Sequence, residues 1–225
     1  MGCMGCDFFQ DKDVSRVLEK LKTDGKETAE NSLKERLKIE AEKAWKISER
    51  NSDFSTLKAQ SKEIPEDKIH EYNRAEFEID KKLVEIEVDK TTKLFDMGQQ
   101  LADELKKAMM DKFNEQLTKV PEFARPAIKK KVEQMTALSS ISFLNSSFGA
   151  PLLKALEAYG AGADALEKYV KQLAEATKKR REQERKDFNI STNEFAEDYS
   201  EEKLHALIED TVKKIKPEEE KKEWK

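Results

Sequence analysis

The chain has 225 residues, of which 40 % are Asp, Glu, Lys or Arg and 37 % are hydrophobic, and its formal net charge is −4. Acidic and basic residues are interspersed, so no whole-molecule field steers a nucleic acid or an acidic substrate, and no nucleic-acid partner is expected. Few glycines, prolines and aromatics point away from sheet and toward long, solvent-covered helices.

The chain begins Met1-Gly2-Cys3-Met4-Gly5-Cys6. Removal of Met1 exposes Gly2, the acceptor position for N-myristoylation, although Cys6 stands where that pattern wants Ser or Thr. Gly2 with Cys3 and Cys6 resembles the dual-acylation signals of Src-family kinases and some G-protein alpha subunits. The resemblance implies myristoyl on Gly2 and palmitoyl on Cys3 or Cys6. It covers six residues, and no kinase or GTPase motif follows. A single myristoyl chain binds membrane marginally, so a second acyl chain is what makes such an anchor durable. No other cysteine exists, which suits a reducing compartment. No membrane span is expected, because five serines, Asn145 and Pro151 dilute the most apolar stretch.

Val14, Val17, Leu18 and Leu21 predict a short helix that ends at Thr23-Asp24-Gly25. A second helix is expected over about 27–50. There Leu33, Leu37, Ala41, Ala44, Trp45 and Ser48 share one face, read as the core side with Trp45 as its anchor. Asn51-Ser52-Asp53 reads as a turn. Pro65 opens the next helix, followed by Glu66 and Asp67 at the positive end of the dipole. From there to Val120 the only interruption is Gly98, so the segment is either one rod or a hairpin folded at that glycine. Its seam runs through Ile69, Tyr72, Ile79, Leu83, Ile86, Leu94, Met97, Leu101 and Leu105 to Ala108, broken by Glu76 and Lys90.

A third long helix is expected from Pro126 into Met135–Leu153, which carries no charged residue and is the candidate centre of the core. Gly149-Ala150-Pro151 kinks or breaks it. Gly160-Ala161-Gly162-Ala163 is a second soft point, where small residues allow close helix contact or a local hinge, close packing being the commoner use. Lys178, Lys179, Arg180, Arg181, Arg185 and Lys186 form the densest basic cluster, a candidate patch for lipid headgroups if they share one exposed face. Ser200 is expected to cap a last helix that Pro217 stops.

The fold class is therefore all-α, an elongated antiparallel bundle of three to five long amphipathic helices. Residues 12–216 form one domain between an N-terminal segment, 1–11, and a charged tail, 217–225. Asp67-x-x-His70 and Glu202-x-x-His205 have the spacing of di-iron bundle ligands, with Glu76 the best further carboxylate. Both pairs lie near helix starts, where acidic residues serve the dipole, so no metal, cofactor or catalytic residue is expected. The expected function is a non-catalytic scaffold in the cytoplasm, tethered to the cytosolic face of a membrane. It engages protein partners, or itself, through helix faces. The alternatives are a membrane-shaping dimer similar in plan to BAR domains, or a soluble structural subunit of a large assembly.

Overall fold

The computed structural model describes residues 12–146, 149–190 and 198–216. These are helical, with no strand among the described residues: α1 Lys12–Ala59, α2 Glu66–Leu117, α3 Arg125–Thr136, α4 Ser140–Leu144, α5 Ala150–Ala158, α6 Ala163–Phe188 and α7 Glu201–Ile215. A single 3-10 turn, Glu122–Ala124, precedes α3. The all-α class expected from composition is the observed one. Contacts divide the chain into two compact units, Met1–Ala29 with Thr92–Ala161 and Glu30–Thr91 with Gly162–Lys225.

In the first unit, the expected break at Thr23-Asp24-Gly25 does not occur, because α1 runs through it. Gly25 serves a close approach instead: a Cβ there would sit 3.1 Å from the Tyr159 ring, whose hydroxyl donates to the Lys22 carbonyl at 3.0 Å. Gly98 is likewise a seat for Leu156 and not a fold-back, and α2 is one helix of 52 residues. The uncharged stretch is not a continuation of a third long helix. It divides into the end of α3, then α4, then α5. The hydroxyl of Ser139 caps α4 by accepting from the Ser142 N–H at 3.1 Å, and Pro151 sits in the first turn of α5. Lys106 donates to the Leu138 carbonyl and Ser140 to Asp103, which ties the break to α2. Phe143, Leu144 and Leu152 from this stretch are buried with Leu21, Leu94, Leu101 and Leu156. Each such side chain contributes roughly 1.5–3 kcal/mol by leaving water. Leu138 faces outward. Gly160, at φ 72°, and Ala161 end this unit, so the second soft point is a helix break.

The second unit packs the remaining part of α1, the first half of α2, α6 and α7. Val84, Leu166, Val170, Leu204 and Ile208 form its apolar core, with Phe77, Leu173 and Tyr199 against it. Asn51-Ser52-Asp53 is helical, not a turn: Phe54 behind it is buried against Tyr72 and Phe188, and Asp53 accepts from Tyr72 at 2.8 Å. That bond and burial push the Tyr72 hydroxyl up to about 12, with burial the larger cause. Ser200 caps α7 as expected, accepting from the Lys203 N–H at 3.2 Å.

A clasp joins the chain before α7 to α2. Asp198 bonds His70 through Nδ1 and accepts from Arg74 Nε at 3.0 Å, while Glu66 lies 3.6 Å from His70 Nε2. The Asp198 bond raises His70 above its ordinary value. Burial opposes ionisation of Asp198, but the bonds from His70 and Arg74 outweigh it and hold that carboxyl low. The raised His70 value means its share of stability is full below the ordinary histidine range and is lost as pH rises through the raised value. The Asp198 share is present above the ordinary carboxylate range and is lost as pH falls through the lowered value. Amide exchange in α7, corrected for the intrinsic rate, is therefore expected to show less protection above the raised value than between the two. In H70Q that alkaline loss should be absent; an unchanged profile would remove the clasp.

Candidate functional site

The interior of the second unit is charged along one line. Asn73, Glu76, Asp80, Glu87 and Thr91 of α2 are all buried. Opposite them α1 presents Arg36, Lys43 and Arg50. Three layers follow at seven-residue steps, in reverse order on the two helices. Arg36 donates to Glu87 at 3.3 Å, Lys43 to Asp80, and Arg50 to Asn73 at 3.5 Å. Helix α6 runs parallel to α1 in the same steps: Lys43 also donates to Thr177 at 3.1 Å, and Arg50 to Glu184. Seven-residue spacing is the repeat of helices that keep one seam facing a partner, and polar groups in that seam fix register.

Glu76 is the most heavily contacted carboxylate. It accepts from Arg180 and from Arg181 at 3.3 Å, with Lys43 at 3.5 Å and Arg50 at 3.7 Å. Burial pushes its carboxyl above the usual range against the pull of Arg181, Lys43 and Arg50. Asp80 accepts from Thr177 and from Tyr199, each at 3.1 Å, and the Arg181 guanidinium lies 5.0 Å from the Tyr199 ring centre. Burial, then Asp80, raises the Tyr199 hydroxyl, so it stays a proton donor.

This line of charge sets the rotation of α1. At 3.6 residues per turn, Arg36, Lys43 and Arg50 lie about 120° around the helix from the centre of the Leu33–Ser48 stripe. Only one of the two faces can turn inward. Stranding a buried carboxylate costs about 3–5 kcal/mol, whereas burying a Leu gains about 1.5–3 kcal/mol. With Glu76, Asp80 and Glu87 all needing counter-charge, the cations win. The expected core face of α1 is therefore outside: Leu33 is 45 %, Leu37 54 % and Trp45 72 % exposed, with Ala41, Ala44 and Ser48 open beside them.

The expected headgroup patch is corrected by the same network. Arg181 is buried and Arg180 turns to Glu76 and Glu184, so the six cations do not share one exposed face. Lys178, Lys179 and Lys186 are exposed and Arg185 is half-buried. The groove beside them, about 410 Å3, is lined by Glu182, Glu201 and Glu202 as well as Lys178 and Arg185, so it carries no single sign. Gly2, Cys3 and Cys6 lie outside the described residues. The two carboxylate–histidine pairs do not form as spaced. His70 meets Asp198 and Glu66, not Asp67, and His205 meets Glu201 at 3.4 Å, not Glu202. No group of three or more metal-ligating His, Cys, Asp or Glu occurs among the described residues, and no helix there is long and apolar enough to cross a membrane.

The chain matches no protein-family model, no curated protein and no solved structure. The exposed stripe of α1 therefore stands as the candidate site on its own geometry. The pattern that could have revealed it is Arg36, Lys43, Arg50 set against Asn73, Asp80, Glu87, two heptad runs of complementary polarity in opposite order.

Proposed function

We propose that the chain is a non-catalytic helical scaffold. The apolar face of α1 docks a further helix, and acylation of Gly2 with Cys3 or Cys6 brings the folded body to the cytosolic face of a membrane. The observation that carries the docking half is the exposure of Leu33, Leu37 and Trp45 on a helix whose opposite side is committed to charge pairing. A patch of apolar groups rimmed by polar ones is the usual mark of an interaction surface. The membrane-shaping alternative is the weaker reading, because two of the cations it would draw on, Arg180 and Arg181, serve Glu76.

The test is made on the protein from its native cell. Intact mass is expected to show the loss of Met1 and one myristoyl plus at least one palmitoyl chain. G2A is expected to leave the membrane fraction. Native electrophoresis is expected to show the chain in a complex that L37D with W45D reduces to the size of the free chain. An unmodified Gly2 removes the tether, and a complex indifferent to the double variant removes the scaffold.

A further inference from the structure

We infer that the occupant of the α1 face is a second copy of this chain, paired antiparallel about a two-fold axis near Ala41. The inference rests on the scaffold reading and names its partner.

Two features of the stripe choose that occupant. The first is size. Leu33, Leu37, Ala41, Ala44 and Ser48 fall within about 80° of arc, with Trp45 at its edge. The large aliphatic groups stand at the N-terminal end and the small ones at the C-terminal end. Reversing a second copy sets Leu33 and Leu37 over Ser48 and Ala44, so that large meets small and the helix axes can approach within 8–10 Å or so. A parallel copy would stack Leu on Leu and leave a gap at the alanines.

The second feature is charge. On the Trp45 side the exposed flank reads Lys34 and Lys38, then Glu42 and Glu49. A two-fold axis keeps this flank against itself in reverse. Lys34 then meets Glu49 of the second copy and Lys38 covers the ring of its Trp45, a cation over an aromatic face. Glu49 already pairs with Lys46 at 2.8 Å in a solvent-exposed bridge, of the kind that exchanges at little cost. A parallel pair would carry this flank to the opposite edge of the partner's stripe, so Lys34 would not meet Glu49 and Lys38 would not cover Trp45.

Sixteen residues of helix span about 24 Å, which places the interface at the small end of specific ones, below about 1,200 Å2 in total. The dimer in solution is therefore weak. Confinement at a membrane raises the effective concentration of its halves, which is where the tether and the face act together.

The test uses the full-length chain carrying C3S and C6S, unacylated. Sedimentation equilibrium toward roughly millimolar concentration is expected to show monomer passing to dimer. L37D should weaken the dimer at least about tenfold with an unchanged circular-dichroism spectrum. K34E should weaken it as well, and K34E with E49K should restore it, because the swapped charges meet again only in the antiparallel register. Oxidation should cross-link A41C to itself but not S48C, whose two copies lie about 21 Å apart in this register. A chain that stays monomeric throughout, or S48C cross-linking in place of A41C, overturns the inference. If the purified chain stays monomeric while the native complex still dissolves on L37D with W45D, the second copy is ruled out and the scaffold stands.

Discussion

Replacing Arg50 with alanine is expected to lower the stability of the fold by about 3–5 kcal/mol, read from the midpoint and slope of urea unfolding. The side chain is 3 % exposed and lies among Glu184, Glu76 and the side-chain amide oxygen of Asn73. Removing it does not merely delete favourable bonds. It leaves carboxylates in a place where water cannot replace the lost charge. Replacing Arg50 and Glu184 together, by Met and Leu, is expected to recover most of the loss, because the charge that Arg50 bonded directly goes with it.

The pH dependence of that loss follows from Glu76. Burial already raises its carboxyl above the ordinary value, and Arg50 is one of the cations that pull it back. Without Arg50 the folded-state value rises further. A raised folded value means stability is lost as pH climbs from the ordinary carboxylate range through that value, and the loss is complete above it. The gap between wild type and R50A is therefore widest near neutrality and narrows as pH falls and Glu76 is protonated in both folded and unfolded chains. A gap that stays constant into the acid range would mean that Arg50 acts by packing alone.

The helical class and most helix positions were legible because periodicity, capping residues and prolines are local signals. Pro65, Ser200 and the acidic first turns of α2 and α7 do in the fold what their chemistry demands. The errors share one cause. Thr23-Asp24-Gly25 and Asn51-Ser52-Asp53 are turn formers in isolation, yet Tyr159 sits over Gly25 and Tyr72 bonds Asp53, so tertiary contact overrode local preference. On α1 hydrophobicity does not decide what turns inward. Here the seam of α2 is anionic, and the cations of α1 had to answer it. Arg180 and Arg181 turn toward Glu76 for the same reason. Gly2, Cys3 and Cys6 are legible only as a sequence motif, and they lie outside the described residues.

Substituting Gly149 with alanine is expected to lower stability by about 3 kcal/mol or more, and to do so in the first unit. The backbone angles there, φ −84° and ψ −15°, suit any residue, so strain in the chain is not the reason. The reason is space. A Cβ would lie 2.2 Å from the Phe143 carbonyl oxygen and 2.5 Å from the Leu144 Cα. Both are backbone atoms of a segment held by buried Phe143 and Leu144, so neither can swing aside. Gly98 makes the comparison sharp. Its Cβ would also come too close, at 2.6 Å, but to the terminal Cδ1 of Leu156, which a rotamer change can move. Gly98 is also inside a helix, where alanine is favoured by about 1 kcal/mol. G98A is therefore expected to stay within about 1 kcal/mol of wild type. Equal losses at the two positions would show that distance alone, and not the rigidity of what is struck, governs this core.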